Sequence, residues 1–178
     1  MGEKTIKHKK DPIHDRMQFI GILIWGFVLA SLIGWIYEEI CGLVVYGHLM
    51  ERGILWLPLC PIYGFGAWLL YACTRKMKSI VWIIPVAGIV SGIFEYICSY
   101  ILEEYFHLYL WSYEGWIFSV NNRISLLSCL FFGILAVLFQ KVIVPFLRFC
   151  SRKMPRQIFT ITAFISILIM GLDLIGLY

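Results

Sequence analysis

A chain of 178 residues that is 61% hydrophobic, 17% aromatic and only 15% charged, with a mean hydropathy of +0.83, cannot cover its surface with polar groups. That composition excludes an ordinary water-soluble domain and calls for a bilayer as solvent. The net charge of +4 does not mark a nucleic-acid binder, because the 15 Lys and Arg fall in short clusters between apolar segments.

Residues 1–16 form a basic tail carrying Lys4, Lys7, Lys9, Lys10 and Arg16. This tail lacks the short apolar core and small-residue cleavage site of a removed leader, so none is expected. Crossing about 30 Å of hydrocarbon takes about 20 helical residues. Five segments reach that length: about 17–45, 54–74, 79–104, 124–147 and 157–178. Backbone polar groups in lipid must be paired within their own segment. The expected fold is therefore all-α integral membrane, a single transmembrane helical domain over residues 17–178. The first span is long enough to project or bend, and Pro61 and Pro85 are expected to kink the second and third. Residues from about 105 to 122, with His107, Trp111, Tyr113, Glu114 and Trp116, are too few to cross and are expected to lie at, or dip back into, an interface.

Basic residues set the expected orientation. Arg75, Lys76 and Lys78 follow the second span, and Arg148, Arg152, Lys153 and Arg156 follow the fourth, on the same side as the basic tail. Lys141 lies near the end of the fourth span, and the opposite side carries only Arg52 and Arg123. By the positive-inside rule the N-terminus is cytoplasmic and, after five spans, the C-terminus is outside.

Glu38, Glu39 and Glu95 interrupt otherwise apolar helices. An ionisable group at bilayer depth costs about 2.5–3.5 kcal/mol at a helix centre and is rarely there without a role. Glu38 falls near the outer end of span one and Glu95 in the outer part of span three, at the level of Pro58, Cys60 and Pro61. Glu103, Glu104, Glu114 and Asp173 are expected to be hydrated. Gly26, Ala30, Gly34, Glu38 and Gly42 recur at every fourth position, a stripe of small residues around one carboxylate, and small residues recur again in Gly88 and Gly92 beside the ribbon Ser91, Glu95, Ser99, Glu103. Span four offers Ser125, Cys129 and Gly133 at the same spacing. Such stripes favour close helix contacts, and spans one, three and four are expected to line a common cleft. The six cysteines show no C-x-x-C spacing and read as inert buried thiols, Cys60 included, and the four histidines are scattered. No metal, heme, flavin or nucleotide motif is present, so no cofactor is expected.

The blocks Gly34-Trp35-Ile36-Tyr37-Glu38, Arg52-Gly53-Ile54-Leu55, Pro58-Leu59-Cys60-Pro61-Ile62-Tyr63-Gly64-Phe65-Gly66, Phe94-Glu95-Tyr96 with Ser99 and Glu103, Trp111-x-Tyr113 and Asn122-Arg123-Ile124-Ser125-Leu126 follow one another in the chain. In this order they resemble the bacterial membrane family known as Putative ABC-transporter type IV, or CmpB-like. The resemblance runs from about residue 19 to 147, and its most specific piece is the Cys-Pro-Ile-Tyr-Gly-x-Gly block. It implies a multi-pass, transporter-like protein of the bacterial cytoplasmic membrane, with no established substrate or catalytic residue to carry over. The chain departs from the family's usual pattern at Ser112, where an acidic residue is common, and at Leu57 and Asn122, where glycine is usual.

Together these readings single out Glu38, Arg52, Cys60, Tyr63, Glu95, Ser99, Trp111, Tyr113 and Arg123 as a buried polar or ligand-binding cluster. Three functions compete. A permease-like component would hold a small polar, charged or zwitterionic ligand in the outer half of the bundle. Having no G-x-x-x-x-G-K-[ST] loop, it would need an ATPase or other membrane partner for any ATP coupling, and five spans favour a homodimer or partner subunit. A membrane-embedded enzyme would use Glu95 as general base on a lipid or envelope precursor held by Arg52 and Arg123. An assembly or sensory protein would use the same charges to lock the bundle.

Overall fold

The computed structural model describes residues 12–47, 55–109 and 111–176, with side chains described from Arg16 onward except at 45 and 46. The chain is all-helical: α1 (Pro12–Tyr46), α2 (Pro61–Thr74), α3 (Ile80–Phe106), α4 (Leu126–Leu138), a π-helical turn (Phe139–Ile143), α5 (Val144–Lys153) and α6 (Arg156–Ile175). Among the described residues, extended pairing is confined to one isolated bridge between Val120 and Ile124. Among the described residues, four helical rods are long and apolar enough to cross a membrane: Arg16–Val44, Ile80–Phe106, Leu126–Lys153 and Arg156–Ile175. Large apolar side chains such as Trp82, Ile89, Ile93, Leu168 and Ile175 face outward along these rods. In water that surface would be a severe liability, and in lipid it is the solvated face.

The expected second span, 54–74, is corrected. Its helix begins only at Pro61 and has 14 residues, about 21 Å, too short to cross by itself. Pro61 does not kink a helix. It starts one, where its missing N–H costs nothing, and residues 55–60 arrive as non-helical chain. The Cys60 N–H is satisfied by the Ser31 carbonyl at 3.0 Å, part-way along α1.

The fourth rod also differs from its expected bounds, running to Lys153 rather than to about 147. Pro145 lies inside it, and a proline ring cannot accept the ordinary i−4 carbonyl geometry. The rod widens to a π turn just before it, and the Val144 N–H reaches back to the Phe139 carbonyl. Gln140 and Lys141 on this turn then bond the carbonyls of Met77 and Lys78 in the α2–α3 connection, at 2.9 and 3.1 Å.

Close approach is set by the small residues. A Cβ on Gly133 would stand 2.6 Å from the Ile84 carbonyl oxygen, and one on Gly88 2.9 Å from the Cys129 carbonyl oxygen, so α3 and α4 touch backbone to backbone in antiparallel array. At Gly34 an added Cβ would overlap the Tyr63 ring. α2 runs antiparallel to α1, with Trp68 Nε1 donating to the Leu23 carbonyl at 2.9 Å. Phe27, 2% exposed, packs on Trp68 and Phe65 with ring centroids 4.8 and 4.9 Å away. α6 lies parallel to α1, its Phe159 carbonyl accepting from Trp25 Nε1 at 3.3 Å. At the far end of α6, Asp173 is buried, contrary to its expected hydration, and accepts the Leu57 N–H at 3.0 Å. That bond ties down the non-helical stretch before α2.

Candidate functional site

α4 starts at Leu126, and Ser125 and Ser128 cap it reciprocally, each side chain bonding the other's backbone N–H. This start lies level with Glu95, because the Ser128 hydroxyl also donates to Glu95 Oε2 at 3.3 Å. From residue 95 to the end of α3 at Phe106 is about 16 Å of further helix. The chain after α3 folds back beside this projecting piece, with the Tyr113 N–H bonding the Asn122 carbonyl and Val120 bridging Ile124. The fold-back turn uses Asn121 and Asn122 at φ 51° and 57°. Asparagine tolerates this left-handed conformation better than most residues, which explains how Asn122 stands where the family usually has glycine.

The fold-back carries the Tyr113 hydroxyl to Glu95 Oε1 at 2.7 Å. Glu95 is 8% exposed, and both of its oxygens accept from neutral hydroxyls. Glu38 on α1 accepts the Tyr63 hydroxyl at 2.6 Å. Tyr63 stacks on Phe132 of α4 with centroids 5.6 Å apart and 28° between planes. Glu38 and Glu95 border one partly open cavity of about 100 Å³ between α1–α4, the π-helical turn and the fold-back, with Trp111 and Tyr113 toward one end and Tyr71, Phe139 and Ile143 toward the other. The rest of the wall is mostly apolar, with hydroxyl-bearing side chains at Tyr63, Tyr71, Tyr113 and Ser91.

Arg123 is not in that wall. It pairs with Glu103, its Nη1 donates to the Ser99 hydroxyl at 3.2 Å, and its guanidinium lies 5.9 and 5.6 Å from the ring centres of Tyr96 and Tyr100. Trp111 Nε1 donates to the Arg123 carbonyl at 3.2 Å, which joins this cluster to the cavity rim. Glu103 was expected to be hydrated, but it accepts from Arg123 and, at 2.6 Å, from the Tyr109 hydroxyl. That bond, with the carboxylate's charge, pushes the Tyr109 phenol above its ordinary range.

Of the residues singled out from sequence, Glu38, Tyr63, Glu95, Trp111 and Tyr113 border the cavity. Ser99 and Arg123 form the neighbouring cluster, and Cys60 is buried beside α1 away from the cavity wall. Cys60 alone of the six thiols is buried, while Cys73 is exposed and the others are intermediate. Arg52 lies outside the described residues. Ser128 and Phe132 were missed, although the Ser125-x-x-Ser128 spacing is itself a helix-start signal that faces one serine inward. Among the described residues no three His, Cys, Asp or Glu side chains gather as a metal site.

No curated protein and no solved structure matches the chain. The family model described as Putative ABC-transporter type IV matches residues 25–177, which brings α6 into the family's span beyond the stretch to about 147 legible from motifs. The chain, a membrane protein by its apolar rods, belongs to the Putative ABC-transporter type IV family.

Proposed function

We propose that the protein is a permease-like membrane component that holds a small ligand in the cavity between α1, α2, α3 and α4. The observation that carries this reading is the cavity itself, a partly open space between the helices with two carboxylates and several hydroxyls in its wall. The polar end faces outward if the basic clusters hold the N-terminus in the cytoplasm, since Glu38 and Glu95 lie far from Lys78 and Lys141. ATP coupling would come from a partner docking on the basic connections, because the chain has no phosphate-binding loop. A homodimer or partner subunit would complete a permeation path. The lipid-enzyme alternative relies on Arg52 and Arg123 to hold a headgroup; Arg123 is engaged by Glu103 and Ser99, and Arg52 lies outside the described residues.

The test is purification of the tagged protein from its native membrane in mild detergent, with mass spectrometry of retained molecules and proteins. The expected result is a stoichiometric small molecule that Phe132→Trp, which fills the cavity, displaces without loss of folded protein. A wild-type protein that retains nothing, together with a Phe132→Trp variant that functions normally in cells, overturns the reading.

A further inference from the structure

We infer that the end of the bundle opposite Glu95 carries a binding site for an anionic phospholipid, its headgroup held by Arg148 together with Arg16 and Arg152. Arg148 stands in the wall of a crevice between α1, α2 and the α4–α5 rod, with Phe19 and Leu23 of α1, Trp68 and Tyr71 of α2, and Val144. Phe19 and Arg148 are exposed, so the crevice opens to the surroundings of the bundle. Arg148 Nη2 donates to the Tyr71 hydroxyl at 3.2 Å, which orients a guanidinium whose fork of N–H donors matches a phosphate. The Gln18 amide donates to the carbonyl and hydroxyl oxygens of Ser151 at 3.0 and 2.9 Å, which sets the start of α1 level with α5. Arg16 lies one turn before Phe19 on the face of α1 that borders the crevice, and Arg152 one turn after Arg148 on α5. Both arginines are exposed.

Depth and charge choose a lipid. Phe146 and Phe149, beside Arg148 on α5, are exposed, and the Lys153 ammonium lies 5.7 Å from the centre of the Phe149 ring. Apolar rings edged by cations belong at the boundary between hydrocarbon and headgroups. From Arg148 the crevice runs between apolar walls toward Leu23 and Trp68, into the depth that lipid chains occupy. It is shallow, about 30 Å³, so it seats only the part of a chain next to the headgroup, and selection rests on headgroup charge. Every Lys and Arg of the chain except Arg52 and Arg123 falls in residues 1–16, the α2–α3 connection or residues 141–156, where the acids are Glu3, Asp11 and Asp15. That excess attracts an anionic leaflet. Topology alone explains cations at this end, but an arginine seated in the wall of a crevice is a feature of a site.

The experiment exposes the full chain, purified in detergent and freed of lipid, to equimolar dioleoylphosphatidylglycerol and dioleoylphosphatidylcholine and counts the bound lipids by native mass spectrometry. The first lipid bound is expected to be the anionic one by at least about fivefold, as one engaged cation gives. Arg148→Gln should bring that ratio close to one while circular dichroism keeps its wild-type helical signal. Lys76→Gln, which removes an exposed cation of the same end outside the crevice wall, should leave the ratio unchanged. Should Arg148→Gln fail to fold, the double variant Arg16→Gln/Arg152→Gln, at two exposed side chains, carries the same expectation. A wild-type ratio close to one, or a ratio that Lys76→Gln lowers as much as Arg148→Gln, overturns the site. So does a ratio that Arg148→Gln leaves unchanged while a protein co-purifying from native membranes is lost, because the arginines then dock a protein.

Discussion

Glu95 and Glu103 stand on one strip of α3, about 12 Å apart along the axis, and meet opposite surroundings. Glu103 is met by an arginine, at side-chain exposures of 28% and 16%, and the pair pins the fold-back segment to the projecting end of α3. Glu95 is met by two hydroxyls at the wall of a cavity. A carboxylate paired with arginine carries its neutralising charge beside it, while Glu95 is met, among the described residues, by hydroxyls. The same residue type two turns apart on one helix thus meets two surroundings, according to whether the neighbouring element brings a cation or a hydroxyl.

The comparison can be broken outright at the helix contact that supports both sites. Gly133→Val forces a branched side chain against the Ile84 carbonyl and should cost about 3 kcal/mol, read as a lowered unfolding midpoint in detergent. Its failure to destabilise would mean that α3 and α4 are not in backbone contact.

The two carboxylates should then separate cleanly. Arg123→Ala leaves Glu103 without its cation and removes the contacts to Tyr96 and Tyr100, for a loss of about 2 kcal/mol that Arg123→Lys restores only in part. Glu95→Gln should cost about 1 kcal/mol or less, because the amide oxygen can still accept from one hydroxyl while its NH2 donates to the oxygen of the other. Equal losses from the two substitutions in thermal unfolding would erase the distinction. Tyr113→Phe should cost about 1 kcal/mol and fall short of additivity with Glu95→Gln, since both alter the same contact. The smallest effect is expected at Ser112, which is exposed. Ser112→Asp, returning the acidic residue common in the family, should stay within about 0.5 kcal/mol.

Much of the architecture was legible because lipid leaves so few options. An apolar run of sufficient length must be a helix, and α1, α3, the α4–α5 rod and α6 follow from that rule. α2 was misjudged because hydropathy counts the residues just before Pro61 as spanning, whereas Pro58 and Pro61 keep residues 55–60 non-helical. The glycine positions at 34, 88 and 133 signalled close packing without naming their partners, which proved to be a tyrosine ring and two backbone carbonyls.

What the sequence by itself determined is the solvent, the helical class, and the presence of carboxylates at depth, since each follows from composition and the cost of unpaired groups in hydrocarbon. The partners of those carboxylates were decided only by the tertiary structure. Arg123 lies 28 residues after Glu95 and 20 after Glu103 in the chain, and nothing in that spacing says which it will meet. The fold-back after α3 settles the matter by laying Arg123 along the projecting turns of α3 and lowering Tyr113 to Glu95. Which side chain faces a buried charge depends on where a non-helical segment packs, and such packing is a sum of contacts between residues far apart in the sequence.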